Sequence, residues 1–420
     1  MMNHALQAYQ NAVLTSFGFF WKASWAFVLG YFISAMIQAF VPKGGMTRVM
    51  GDGGSKNISL ATLFGGISSS CSFAALATAR SLIGKGAHFI AGVAFMFAST
   101  NLVIELGILI LIFLGWQYLV AEIIGGLLLI VISSILIRLT YPDKWIQTAR
   151  RQAEQATGSD DDHFDWRQRI RSRKGWLNVG HHFVMEWKMV WQEILIGFTI
   201  AGMIAVFVPR SLWEAIFLTN APASIPAPLI VLENALLGPF VAAATFIGSM
   251  GNIPLATVLS TNGVMFAGIM GFIYSDLMVP PLVAVNAKYY GWRVALYIAA
   301  VMFVSIVSTD LILHYGFAAF GLIPESSRNI ETVTRFQIDY TFWLNIIAGI
   351  GVAVLILANR RHMTHMEKRN SPMGGHGGHM NHDMNHGQSH LSIKAVFAIA
   401  AMIYLAGGLL AALLQSATMF

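Results

Sequence analysis

The chain has 420 residues, of which 56% are hydrophobic and only 11% are charged, and its formal net charge is +6. Soluble domains carry about 25% charged residues, so this composition excludes an ordinary soluble protein and predicts one that lies in a lipid bilayer. The basic residues are concentrated in polar connections, as expected for loops beside an anionic cytoplasmic leaflet, and they form no stripe that would suit nucleic acid.

Ten apolar segments follow one another along the chain, and a transmembrane helix needs about 20 such residues. We predict an all-α polytopic membrane protein whose first segment inserts uncleaved. The segments are residues 24–41, 58–79, 89–114, 120–137, 190–208, 229–260, 264–285, 294–313, 340–357 and 393–414.

Two polar stretches divide these segments. The first is rich in Arg, and the second is rich in His, Met and Gly. The predicted organisation is a first transmembrane repeat at 1–139, a cytoplasmic polar loop at 140–188, a second transmembrane repeat at 189–321, a ninth hydrophobic helix with its preceding loop at 322–358, a His/Met-rich flexible loop at 359–392 and a C-terminal transmembrane helix at 393–420.

Two of the apolar segments contain helix breakers at their centres. Residues 58–79 hold Gly65-Gly66 and a run of serines around Cys71, and residues 239–260 hold Gly248, Gly251 and Pro254. Glycine and proline weaken a helix, and lipid cannot satisfy the backbone groups that a break frees. Such a segment must be buried in protein or face water. The alternative is that these small residues only let helices pack closely.

The two broken segments resemble each other, which indicates an internal repeat. Ser70-Cys71 followed by ALAT at 75–78 matches Ser249-Met250 followed by PLAT at 254–257. If both segments are re-entrant, the two repeats are inverted and 22 of the 26 Lys and Arg residues face the cytoplasm; if both cross fully, only 15 do. Basic residues near helix ends favour the cytoplasm, so we expect two inverted repeats with paired broken or re-entrant helices, plus two C-terminal transmembrane helices.

Inverted repeats with paired broken helices are typical of transporters that bind their substrate near the membrane centre. A thiolate at Cys71 would suit soft metals, although a buried cysteine can equally be an inert small hydrophobe. Carboxylates are costly inside a bilayer, so we expect Asp276 and Glu105 to carry protons, unless they lie at the interface or pair with Arg80. The expected substrate-binding residues are Ser70, Cys71, Ser72, Asn101, Glu105, Ser249, Met250, Asn252 and Asp276.

Three further acidic residues lie within or at the edge of apolar segments, namely Glu122, Glu233 and Asp310. For these, an interfacial or paired position is the favoured interpretation.

The stretch 362–390 contains seven His and five Met and has no apolar core. His and Met together suit copper or silver. We expect that the protein requires no cofactor and that a soft-metal ion, copper or silver, binds this loop; the alternative is adventitious metal binding. The expected metal ligands are His376, His379, Met380, His382, Met384 and His386.

Several stretches resemble a known family. They are ASTNLVIEL at 98–106, LENA at 232–235, GSMGNIPLA at 248–256, SDL at 275–277 and KYYGWR at 288–293. Over about residues 24–321 the chain resembles the bacterial predicted-permease family that includes the organoarsenical efflux permeases. The resemblance implies a polytopic permease of the inner membrane. Its arsenical exporters rely on cysteines in these motifs, and the single Cys71 here argues against a trivalent arsenical as the substrate.

The sequence thus predicts a secondary, proton-coupled exporter of a small solute, such as a soft metal, metalloid or organometal compound, whose partners are the lipid bilayer and that solute. The alternative is a membrane-embedded metal sensor or assembly factor that uses the His/Met-rich loop. A membrane enzyme is disfavoured because neither an HExxH nor a GxSxG motif occurs.

Overall fold

The computed structural model describes residues 2–40, 51, 53–68, 72–154, 170–222, 224–245, 247–324, 330, 334–369 and 393–417, and every extended regular element in that part is helical. The elements are α1 (Met2–Phe40), α2 (Ser55–Ser68), α3 (Ser72–Gly84), α4 (Phe89–Asn101), α5 (Ile104–Phe113), α6 (Trp116–Thr140), α7 (Asp143–Glu154), α8 (Arg173–Phe207), α9 (Arg210–Ile216), α10 (Ala227–Thr245), α11 (Ser249–Thr261), α12 (Phe266–Tyr274), a 3-10 helix (Ser275–Met278), α13 (Pro280–Tyr290), α14 (Trp292–Ala319), α15 (Tyr340–Arg369) and α16 (Ile393–Ala417).

Among the described residues, nine helices are long and apolar enough to cross a membrane. They confirm the predicted multi-pass, all-α architecture. The predicted segment 58–79 is not one of the nine, and its described residues belong to the short helices α2 and α3. The predicted segment 229–260 is likewise divided, into α10 and α11.

The helices α2 to α6 are repeated in order by α10 to α14, with the 3-10 helix inserted before α13. Their packing also corresponds, since α2 lies against α4 as α10 lies against α12, and α6 and α14 contact each other. Both helix pairs pack closely. A Cβ on Gly65 of α2 would lie 2.5 Å from the Phe95 carbonyl oxygen of α4, and a Cβ on Gly238 of α10 would lie 2.4 Å from the Gly268 carbonyl oxygen of α12.

The centre of the molecule is formed by α4 and α12, whose residues are all buried. The peripheral helix α15 instead exposes a row of large apolar side chains, including Ile347, Ile350 and Val354. Exposed apolar surface of this extent fits contact with lipid acyl chains. The chain breaks that follow α4 and α12 therefore lie in the interior of the protein.

Three helices extend more than ten residues beyond the predicted segments. α1 begins at Met2, α8 begins at Arg173 within the predicted cytoplasmic loop, and α15 continues to Arg369 within the predicted flexible loop. The first half of α8 buries Leu177, Val179 and Phe183 among polar residues. A helix with one apolar face needs no uniformly apolar sequence, so hydropathy alone missed this extension.

Candidate functional site

Two buried helices are interrupted next to the centre of the protein. α4 ends at Asn101, and Val103 adopts an extended conformation before α5 begins. α12 continues into the 3-10 helix, and Val279 is extended before Pro280 and Pro281 open α13. Proline has no N–H group and suits the first turn of a helix, while it drives the preceding residue to an extended conformation. The prolines therefore explain the second interruption.

Asp276, on the 3-10 helix, is completely buried. The Ser72 hydroxyl donates a hydrogen bond to its Oδ2 atom, and the Ser249 backbone N–H also donates to its carboxylate. Ser72 is the first residue of α3 and Ser249 is the first residue of α11. The N-terminus of a helix carries free N–H groups and a partial positive charge, so it favours an anion. Two helix N-termini, one from each half of the chain, thus meet at one carboxylate.

Glu193 on α8 also belongs to this region, and the sequence analysis missed it. Its charge interacts with that of Asp276, and a Cβ on Gly248 would lie 2.8 Å from its Oε2 atom. The available signal was that Glu193 is the only charged residue in the apolar segment 190–208.

Asn252 lies one turn after the start of α11 and is completely buried. Neither side-chain polar atom of Asn252 has a hydrogen-bond partner within the described part of the chain. A buried amide without partners costs about 1–3 kcal/mol, so this side chain is suited to receive a polar group from a ligand.

Two predicted site residues on α4 and α5 are buried but make other contacts. The Asn101 side-chain amide donates to the Phe97 carbonyl oxygen of its own helix at 3.1 Å. Glu105 packs against α1, where a Cβ on Gly30 would overlap its Cγ atom at 1.8 Å. Arg80, which the sequence suggested as an ion-pair partner for Asp276 or Glu105, instead places its guanidinium 4.6 Å from the centre of the Tyr289 ring.

For Glu122 and Asp310, the interpretation that they are paired is wrong, while an interfacial depth stays a prediction. Glu122 is only 2% exposed and Asp310 is completely buried. No oxygen of either carboxylate has a hydrogen-bond partner among the residues that the structure describes. Glu233, in contrast, is partly exposed on α10 and accepts a hydrogen bond from Asn234 at 2.8 Å. Its position agrees with the interpretation.

Several predicted site residues lie outside the described residues, and they stay predictions. No group of three or more His, Cys, Asp or Glu side chains that could hold a metal ion occurs within the described ranges. The residues outside are Ser70, Cys71, the side chain of Met250, and the loop ligands His376, His379, Met380, His382, Met384 and His386.

The comparison with known proteins agrees with this architecture. Residues 9–315 match the family ArsP_1, described as predicted permease. The chain belongs to this permease family. The permease is also 36% identical over 329 residues to the protein named "Putative permease Rv2963" from Mycobacterium tuberculosis, an alignment that covers 76% of this chain and 80% of the relative. No solved structure matches the permease. Together with the nine apolar helices, the family makes this chain a multi-pass membrane transporter.

Proposed function

We propose that this permease is a secondary, proton-coupled exporter of the inner membrane, and that its solute passes through the point where Ser72, Ser249 and Asp276 meet. The observation that carries the proposal is the convergence of two helix N-termini on the buried Asp276 carboxylate. Broken helices that present free backbone groups to a shared polar centre are the usual construction of a transporter binding site.

The chemistry of the site suits exchange between a solute and a proton. An ionised Asp276 is stabilised by the α3 and α11 N-termini and can bind a cationic or strongly polar solute, whereas a protonated Asp276 has less attraction for it. Proton uptake would therefore release the solute, and proton loss would permit the next binding event. Asn252 adds an amide donor and an amide acceptor to the same region.

The substrate class that we favour is a soft metal, metalloid or organometal compound. The support comes from the sequence, which places the sulfur-containing residues Cys71 and Met250 next to Ser72 and Ser249 respectively. Soft cations prefer such sulfur ligands.

We further propose that α1–α6 and α8–α14 are inverted repeats, with the N-terminus of the chain outside and the stretches 140–188 and 359–392 in the cytoplasm. The corresponding order and packing of the helices supports the repeat, and the distribution of Lys and Arg supports the orientation. Single cysteines at Ser159 and Ser371, in a Cys71→Ser background, should resist a membrane-impermeant thiol reagent in intact cells. Rapid labelling of either position would contradict this topology.

The decisive experiment begins with a deletion strain grown on a panel of metals, arsenicals and antibiotics, complemented by wild-type and variant genes. Asp276→Asn should abolish the resistance that wild-type confers and the efflux measured in everted vesicles. Glu214→Gln is the matched control, because Glu214 pairs with Arg210 at 2.9 Å on the short helix α9, away from the site. This control should retain wild-type efflux.

The same strain separates transport from metal sensing. Deleting residues 373–390 should weaken a metal-linked phenotype without abolishing it, because a loop can raise local metal concentration but cannot carry ions across a bilayer. If that deletion removes all function while Asp276→Asn and Gly251→Leu remain fully active, the chain is a sensor or assembly factor and the transporter proposal fails.

A further inference from the structure

A second polar centre lies between α6, α12 and α14, apart from the contacts made by Asp276. It consists of Glu122 on α6, Asp310 on α14 and Tyr274 at the end of α12. The charges of the two carboxylates interact with each other, and both interact with Tyr274. The packing is tight, since a Cβ on Gly271 would lie 2.5 Å from Oδ2 of Asp310.

Nothing in the described residues satisfies the two carboxylates. The Tyr274 hydroxyl donates its hydrogen bond to the Ala121 carbonyl oxygen at 2.8 Å instead. All four carboxylate oxygens are left without a hydrogen-bond partner in the described ranges. An ionised carboxylate in an apolar interior without donors or a counter-charge is so costly that the group takes up a proton instead.

The surrounding charges do not change this conclusion. The basic residues of the two helices lie far along them: Arg138 is 16 residues beyond Glu122 and Arg293 is 17 before Asp310, which is about 24–26 Å along a helix. The other titratable side chains of the elements packed against α6 and α14 are Glu105, Tyr118, the acidic and basic residues of α7, Glu233, Asp276, Lys288, Tyr289, Tyr290, Tyr297, His314 and Tyr315. Of these, His314 is nearest in sequence, one turn beyond Asp310, and its Nδ1 atom has no partner in the described part of the chain.

We propose that Glu122 and Asp310 form a proton-binding site that couples this permease to the proton gradient. The pair holds its protons in the closed arrangement described here and releases a proton when the bundle opens to water. The inference rests on the proposed function, and it adds a proton site separate from the Asp276 site that holds the solute. Tyr274 connects the two sites, because its hydroxyl donates to the carbonyl oxygen of Ala121, the residue before Glu122, and it immediately precedes Ser275-Asp276.

The position of the pair suits a proton that enters from outside. In the inverted topology, α6 begins and α14 ends on the outer side. Glu122 is six residues from Trp116 and Asp310 is nine residues from Ala319, so the carboxylates lie about 9 and 14 Å from the outer ends of their helices. Both therefore fall in the outer half of the membrane, toward the side from which protons flow inward.

A proton fits this centre better than a metal cation does. Sodium and divalent cations are held by several oxygen ligands, and this centre offers two acidic side chains, Glu122 and Asp310. The described ranges contain no group of three or more such ligand residues. We therefore commit to a proton and treat sodium binding as an outcome that would overturn the proposal.

The test is the pH dependence of thermal stability of the purified full-length protein in nanodiscs, which needs no knowledge of the solute. In the unfolded chain, the two carboxyls ionise above about pH 4–5. If the folded protein keeps both protons above that pH, the ratio of folded to unfolded protein falls up to tenfold per pH unit for each retained proton. The wild-type melting temperature should therefore fall between pH 5 and pH 8. The double variant Glu122→Gln/Asp310→Asn, which mimics the protonated pair, should lose most of this dependence.

Glu214→Gln is the matched control and should keep the wild-type dependence, because Glu214 lies on the short helix α9 and pairs with Arg210 at 2.9 Å. An unchanged pH dependence in the double variant overturns the proposal. So does a rise in the wild-type melting temperature in sodium chloride relative to choline chloride that the double variant lacks, because it indicates a sodium site.

A second measurement covers the case in which the double variant does not fold. Dicyclohexylcarbodiimide reacts with protonated carboxyls in apolar surroundings, and mass spectrometry locates the modified residue. Labelling of Glu122 or Asp310 at pH 7 supports the site, and labelling of these residues only after heat denaturation overturns it. Both measurements leave the Asp276 side chain unaltered and neither measures transport, so the solute site and the proton site can fail independently.

Discussion

The close approach of α10 and α12 provides a quantitative prediction. A methyl group at position 238 would lie 2.4 Å from the Gly268 carbonyl oxygen and 3.0 Å from the Phe272 nitrogen. Ordinary contacts between such atoms are about 3.5 Å, so Gly238→Ala must part the two helices by about 1 Å. Overpacking of this kind costs about 1–3 kcal/mol, while alanine gains about 0.5–1 kcal/mol over glycine within a helix.

The clash should exceed the helix gain, so we expect Gly238→Ala to destabilise the folded state by a net ~1–2 kcal/mol. That loss corresponds to a roughly 5- to 30-fold lower ratio of folded to unfolded protein. Fluorescence-detected size-exclusion chromatography after heating would show a lower melting temperature. Gly65→Ala should lower the melting temperature in the same way, because its methyl group would lie 2.5 Å from the Phe95 carbonyl oxygen.

Gly349→Ala is the matched control, because a Cβ at this position on α15 meets no atom within 4 Å. It should show only the helix gain and melt at or slightly above wild-type. If Gly238→Ala melts at the same temperature as Gly349→Ala, the close packing of α10 on α12 is refuted.

Two further predictions concern contacts between distant segments. Burial raises the pKa of Asp339, but its hydrogen bond and ion pair with Lys22 at 2.6 Å outweigh burial and hold that pKa below its usual value. Asp339→Asn should therefore lower the melting temperature at pH 7. The difference from wild-type should shrink as the pH falls below about 4, because the wild-type carboxylate then becomes protonated and loses its ion pair. The Ser34 hydroxyl on α1 donates a hydrogen bond to the Glu186 carboxylate of α8 at 2.6 Å. Because a hydrogen bond to a charged group contributes about 1.5–3 kcal/mol, Ser34→Ala should clearly lower the melting temperature. A melting curve equal to wild-type would show that this hydrogen bond contributes nothing to stability.

The apolar segments were predictable because the requirement for a transmembrane helix is local. About 20 apolar residues in succession suffice, and nine helices in the described residues meet that condition. The extents of α1, α8 and α15 were not predictable in this way. Their extensions are helical because they pack against one another, and such packing tolerates polar residues on the opposite face.

The division of α2 from α3 and of α10 from α11 was also visible in the sequence, since glycine, proline and serine weaken a helix wherever they stand. The candidate site was only partly visible. Asp276, Ser72 and Ser249 could be proposed singly, but Glu193 could not be assigned to them, because its contact depends on how α8 lies against α11.

What the sequence determined by itself is membrane insertion, helical class, family membership and the two interrupted segments, all of which follow from short stretches of chain. The tertiary structure alone decided which polar groups meet. Ser72 and Asp276 are 204 residues apart, and Glu122 and Asp310 are 188 apart. The Asp276 carboxylate accepts hydrogen bonds, whereas those of Glu122 and Asp310 have no hydrogen-bond partner in the described residues. That difference depends on the register in which separate helices pack, and hydropathy contains no information about that register.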